Sequence, residues 1–390
     1  MTTVYLNPVA NRPGTHVLIV GIGAYTHLSG GTSEAADTRG MEQLSSPPVS
    51  AKAMIDWFLG PQIDTAAPGF KNQNSPLLSL EALIGSKTPE SVVSLAGVVE
   101  LDGASLDQVR DAYERWRLRL ISQPGSTGIF YFCGHGMSAG VQYALCQDLL
   151  RNEGVPYDKA FDINSTLLSL SKEAAGCDIH FWFDACRAVS AELLLTNHGR
   201  PFGLREVPTT QATVERSHSF LQATGEGKLA FSKKGKPSRF TQALIKSLSG
   251  YAGASRPGNK WDVGSAELHK AVGVFLAAEN KSSDRKQTCS HETWGEGNPI
   301  VELPGPPKVK LSLGLSPDAM KPHGQLFYQQ CNGSAAKSIH QCNLGELNVE
   351  VDIGFYNLGA EAAQGQFQST VFSNEMVAPP IYEHVFQVES

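Results

Sequence analysis

Between residues 15 and 307, short unbroken apolar runs alternate with stretches whose apolar residues recur every three or four positions. HVLIVGIGAY (16–25), IFYFC (129–133), DIHFWFDAC (178–186) and SFLQAT (219–224) have the length and β-branched or aromatic content of strands buried on both faces. SAKAMIDWFLG, SLDQVRDAYERWRLRLI, INSTLLSLSKEAAG, FTQALIKSLSG and SAELHKAVGVFLAAEN carry helical spacing. In the second of these the apolar stripe is Leu106, Val109, Ala112, Tyr113, Trp116 and Leu120, with Ser105 placed to cap its start. SPLLSLEAL fits either a strand or the start of a helix. Strands alternating with helices predict an α/β domain, a mostly parallel sheet with helices on both faces.

ELPGPPK then breaks the pattern with prolines. Beyond it KVKLSLGL, GQLFYQQC, LGELNVEVDIGFYNL and QFQSTVF alternate or carry β-forming residues. The expected organisation is a domain over residues 1–307 and a β-rich accessory domain over 308–390.

Charge narrows the partners. A formal charge of -6 and a pI near 6.0 give no general attraction to nucleic acid or to acidic membranes. No run of 18 or more apolar residues suggests a membrane span, and the start of the chain lacks the basic and apolar regions of a signal peptide. The 7 cysteines show no short paired metal spacing, which fits free thiols and a cytoplasmic protein. Gly-Ile-Gly at 21–23 lacks the third glycine of a dinucleotide loop, and no acidic stretch has EF-hand spacing. No cofactor is expected, and no motif supports a dependence on calcium.

Two apolar runs end in chemistry. IFYFCGHG places His135 between Gly134 and Gly136, just past its strand, and HFWFDAC places Cys186 just past another. In open α/β sheets, sites collect at the carboxyl ends of strands. If these two strands are parallel neighbours, imidazole and thiol meet. The imidazole can then favour the thiolate and protonate a leaving amine, while the sulfur attacks a peptide carbonyl. The Gly136 and Cys186 amides are the candidate oxyanion donors. Cys133, inside its strand, is the competing nucleophile and fits a packed thiol better.

FYFCGHG and FDACR resemble the two signature blocks of the caspase-like cysteine peptidases, the clan of caspases, metacaspases and their bacterial relatives. The order SFLQATGEGKLAF, SRFTQALIKSL, WDVGSAELHKAV is also similar to that family's later elements, so the likeness runs over residues 15–307. It implies a caspase-like fold, His135 as general acid/base and Cys186 as nucleophile. Asp184 stands where metacaspase-like members carry the carboxylate that binds a basic P1 side chain, implying cleavage after Arg or Lys. Glu226 is a second candidate for that S1 pocket. DACRAV departs from the metacaspase DCCHSG-type block, so Asp184 does not by itself assign the branch.

Members of the family often mature by cutting a loop in the catalytic domain. Residues 197–217 resemble such an activation loop, with Arg200, Arg205 and Arg216 as candidate self-cleavage sites. Bacterial relatives imply a role in defence or programmed cell death. The expected partners are protein or peptide substrates with basic P1 residues, together with a protein activator or regulator met through the C-terminal domain. The alternative is a non-hydrolytic scaffold using 308–390 to bind a partner; the presence of both His135 and Cys186 favours the enzyme.

Overall fold

The computed structural model describes residues 3–7, 12–152, 154–189, 201–208, 217–225, 235–258, 260–295, 297–331, 336–362 and 365–389. The chain divides into two compact units, Met1–Ile245 with Gly264–Glu302, and Lys246–Val263 with Leu303–Ser390.

The first unit is built on a seven-stranded sheet. Its strands are β1 (Thr3–Leu6), β2 (Thr15–Ile22), β3 (Leu77–Gly85), β4 (Thr127–Gly134), β5 (Asp178–Ala185), β6 (Ser217–Gln222) and β7 (Ser290–Trp294), in the order β1-β3-β2-β4-β5-β6-β7. The five inner strands are parallel and the two edges antiparallel. β2, β3, β4 and β5 are buried at every position. That is why their sequences are continuous apolar runs rather than alternating ones. SPLLSLEAL is resolved as a strand.

Helices cover both faces. α2 (Leu106–Ile121) starts at a capping box in which Ser105 and Gln108 satisfy each other's backbone N–H groups, a feature worth about 1 kcal/mol. It buries the expected stripe, Leu106 through Leu120, and Trp116 Nε1 donates to the His16 carbonyl of β2 at 2.9 Å. α3 (Ile163–Glu173) joins α2 on the same core with Phe130, Phe132, Phe181 and Phe183. Phe130 meets Phe181 edge-on at 5.2 Å and Phe183 at 5.3 Å across the β4–β5 pairing. On the other face, α1 (Ser46–Ile63) comes so close to β2 that a Cβ on Gly21 would lie 2.5 Å from the Ala51 Cβ. α4 (Arg239–Lys246) covers β4 and β5 on that side through Thr241, and α5 (Ser265–Lys281) packs against the β7 edge.

After β4 the chain makes a small sheet from Gly136–Ser138, Gln142–Leu145, Ala160–Asp162 and Ala188–Val189. The sequence presents the interval after Gly136 as polar and loop-like. Strands of two to four residues are too short to show a period.

The second unit holds a three-stranded sheet (Leu347–Asp352, Lys308–Ser316, Ile381–Gln387) and a four-stranded sheet (Ser338–Gln341, Gly324–Gln330, Gly354–Ala362, Thr370–Val377). Their inward residues, among them Val309, Leu311, Leu313, Leu326, Leu358 and Phe386, form one apolar core.

Candidate active site

β4 and β5 are paired in parallel with Asp184 opposite Cys133 and Ala185 opposite Gly134. The two strands therefore end in step. His135 and Cys186 are the next residue on each, leaving the carboxyl edge of the sheet from neighbouring strands about 4.8 Å apart. The two glycines answer to space. A Cβ on Gly134 would lie 2.8 Å from the Tyr25 hydroxyl, and one on Gly136 2.8 Å from the Cys186 carbonyl and 2.9 Å from the Ala185 Cβ.

His135 is held on several sides. Its backbone N–H donates to the Tyr25 hydroxyl at 2.7 Å, and the phenol ring lies 4.9 Å from the imidazole. Its Nε2 is 2.7 Å from the Glu42 carbonyl oxygen. A carbonyl only accepts, so Nε2 carries the hydrogen and the neutral ring keeps its lone pair on Nδ1. Burial lowers the pKa of His135, and the Glu42 carbonyl partly opposes this. The neutral base is thus the ground state near pH 7.

Cys186 is only partly buried, whereas Cys133 is enclosed. Burial, reinforced by the neighbouring Asp184 charge, pushes the Cys133 thiol well above the usual range. Cys133 is a packed thiol, bonded to Asp184 at 3.3 Å.

The amide of Gly136 has a defined direction. Leu145 N–H bonds to the His135 carbonyl at 3.1 Å, and Gly136 pairs with Ala144. Gly136 and Ala144 are therefore a non-hydrogen-bonded pair, and the Gly136 N–H points away from the Gln142–Leu145 strand.

Asp184 is 3% exposed. Its Oδ2 accepts from Thr241 Oγ1 at 2.7 Å, Cys133 Sγ at 3.3 Å, Tyr131 at 3.4 Å, and Ser238 Oγ. None of these four bonds engages Oδ1. Burial raises the Asp184 pKa and the four donors pull it back. Ser238 and Thr241 are neighbours of Asp184 that the sequence reading missed. Their one local signal is the Ser-x-x-Thr spacing at the start of α4, where Ser238 Oγ accepts the Thr241 N–H at 3.0 Å as an N-cap does.

Arg205 is tied down by two helices, its Nε 2.7 Å from Glu173 and its Nη1 3.4 Å from Glu114. The preceding Leu204 is buried in the main core. Arg200, Arg216 and Glu226 lie outside the described residues. Among the described residues no cluster of three or more His, Cys, Asp or Glu could hold a metal ion, and no helix is long and apolar enough to cross a membrane.

The class of this parallel-sheet domain is given by its family. The family model for the caspase domain, Peptidase C14, matches residues 15–291, and the chain belongs to that family. Membership brings a cysteine-peptidase type of activity. The chain is 28% identical over 289 residues to the uncharacterized protein y4kE of Sinorhizobium fredii, covering 71% of this chain and 82% of that protein. Among solved structures it is similar to protein GSU0716 of Geobacter sulfurreducens, with TM-score 0.42, 14% identity, and 75% and 98% of the two chains covered. It is similar also to caspase-1 of Spodoptera frugiperda, with TM-score 0.42, 10% identity, and 75% and 93% covered.

Proposed function

We propose that the chain is a cysteine endopeptidase that uses His135 and Cys186 to cut protein substrates after Arg or Lys. The in-step ends of β4 and β5 carry the reading, because they bring a neutral imidazole and a partly exposed thiol out of the sheet together. His135 Nδ1 takes the proton from Cys186 Sγ, and the thiolate attacks the scissile carbonyl carbon. The resulting oxyanion is received by the Gly136 and Cys186 N–H groups. The C–N bond then breaks, His135 gives its proton to the leaving amine, and a thioester remains on Cys186. Water, deprotonated by His135, hydrolyses the thioester and restores the thiol.

Asp184 supplies the preference. A carboxylate enclosed near the nucleophile, its Oδ2 held by four donors, has Oδ1 left to pair with a guanidinium or ammonium. Glu226 is assigned a secondary part in the same pocket. Self-processing within 197–217 follows from the same preference, at Arg200 or Arg216, and at Arg205 only once its two ion pairs open.

The test is hydrolysis of matched peptides carrying Arg, Lys, Asp or Ala at P1 by wild type and Cys186→Ala. Cleavage of the Arg and Lys peptides by wild type alone is expected. A preference for Asp, or equal activity in the variant, would overturn the proposal.

A further inference from the structure

We propose that Gln43 and Tyr25 form a positioning clamp that sets the place and tautomer of His135. The inference rests on the His135–Cys186 reading above and adds what keeps that pair in register.

His135 is gripped by two pieces of chain distant from it in sequence. Tyr25 accepts the His135 backbone N–H at 2.7 Å and lays its ring 4.9 Å from the imidazole. Glu42 presents its carbonyl to Nε2 at 2.7 Å. Both pieces belong to the irregular segment after β2, where no continuous ladder fixes their separation. Backbone bonds do cross it, from Ser29 N–H to the Met41 carbonyl at 3.3 Å and from Leu44 N–H to the Gly23 carbonyl at 2.8 Å. Neither reaches Tyr25.

The Gln43 side chain makes that missing connection. Its Oε1 accepts the Tyr25 N–H at 2.7 Å, while Nε2 donates to the Tyr25 carbonyl at 3.0 Å and the Ser29 carbonyl at 3.0 Å. A longer contact reaches the Leu28 carbonyl at 3.4 Å. One amide thus satisfies both backbone groups of Tyr25 from the residue next to Glu42. The backbone bridge between Ser29 and Glu42 holds the Glu42 end, and the Gln43 side chain ties Tyr25 itself to it. Together they set the distance between the Tyr25 ring and the Glu42 carbonyl, the two surfaces that hold His135. Only an amide fits. A carboxylate would accept the Tyr25 N–H but turn its other oxygen toward the carbonyls of Tyr25, Ser29 and Leu28.

Tyr25 is suited to the second half of the task. It is 1% exposed, and its hydroxyl donates to the Leu145 carbonyl at 3.4 Å while accepting from His135. Burial holds the phenol protonated, with Cys133, Cys146 and Cys186 as the thiols facing it. Because Leu145 N–H also bonds the His135 carbonyl, the hydroxyl closes a ring of bonds around the turn that carries the imidazole. Tyr25 and Gln43 touch neither thiol sulfur nor scissile bond in this scheme; they act through His135.

The experiment measures Cys186 alkylation by iodoacetamide against pH, resolved by peptide mass spectrometry so that other cysteines do not contribute. It is run on full-length wild type, His135→Ala, Tyr25→Phe and Gln43→Met, with kcat, KM and thermal melts on the same samples. Tyr25→Phe and Gln43→Met are expected to move the alkylation midpoint in the direction that His135→Ala moves it. They should lower kcat by about tenfold, the size of one lost hydrogen bond, with KM nearly unchanged. If both variants keep the wild-type profile and kcat while His135→Ala changes them, the clamp is refuted and the His135–Cys186 pair stands. If His135→Ala leaves the profile unchanged, the pair itself fails and the clamp with it. Should Gln43→Met not fold, Tyr25→Phe, which removes one oxygen from a retained ring, decides the matter.

Discussion

Thr241 Oγ1 lies 2.7 Å from the carboxylate of Asp184, so helix α4 reaches the residue two positions before Cys186. Under the proposed function, this contact joins specificity to folding. Asp184→Asn removes the charge and keeps the shape. The kcat/KM for Arg-P1 peptides should fall by about 10- to 100-fold, the range for a lost charge-assisted bond, with much less change for uncharged P1. An unchanged ratio of Arg to Ala cleavage in a folded Asp184→Asn protein would remove Asp184 from the pocket. Thr241→Val should destabilise the fold by about 1–3 kcal/mol in urea melts, because the buried carboxylate loses a donor and Tyr131 the nearer of its two partners, at 2.6 Å.

His135 carries the proton traffic in the proposed chemistry. His135→Ala is expected to lower kcat/KM by roughly 10²- to 10⁴-fold, the usual contribution of a positioned acid/base, while leaving the melting temperature near that of wild type. Loss of activity accompanied by global unfolding would leave the fold, rather than the chemistry, as the cause; near-normal activity would exclude His135 from it.

Stability should fall with acid in a defined window. His180 on β5 bonds Ser219 on β6 through Nδ1 at 2.7 Å, and its Nε2 is buried without a partner. Burial lowers its pKa to about 4; the Asp178 charge opposes the shift and the His291 charge adds to it. His291 on β7, also lowered to about 4 by burial, stacks on His269 of α5 at 4.7 Å. Both histidines are neutral in the folded protein, whereas the unfolded chain binds protons from about pH 6.5. Their contribution is therefore fully present above about pH 6.5 and is lost as pH falls from there toward about 4. In His180→Gln the slope of stability against pH in that window should be shallower by up to about 1.4 kcal/mol per pH unit. An unchanged slope in urea titrations would contradict the assignment.

Arg205 offers a test that needs no peptidase activity. Its ion pairs to Glu173 and Glu114, together with buried Leu204, fix the segment 201–208 against α2 and α3. Brief trypsin treatment of Cys186→Ala should spare the bond after Arg205, and the added change Glu173→Gln should expose it. Equal cutting in both backgrounds would show that the pairs do not protect the segment.

Some of this was legible in the chain. The α2 stripe from Leu106 to Leu120 and the strand-end positions of His135 and Cys186 follow from periodicity and from apolar runs that stop at glycine or small residues. Glu42 left no trace, because it works through a carbonyl that any residue supplies. Gln43 and Tyr25 meet across a loop with no period to betray them. Arg205 looked like any basic loop residue, since local sequence does not tell a solvated arginine from one bridging Glu114 and Glu173 of two helices. The proline-rich break near residue 307 marks a change of composition. It says nothing of Lys246–Val263, which group with the second unit through contacts distant in sequence.

The most direct measurement is mass spectrometry of new N-termini in wild type and Cys186→Ala, incubated alone and with a mixed protein substrate. The proposed function predicts N-termini that follow Arg or Lys, appear only with wild type, and include cuts within 197–217 of the enzyme itself. Identical N-termini in the two samples, or wild-type cuts that follow Asp, would contradict it.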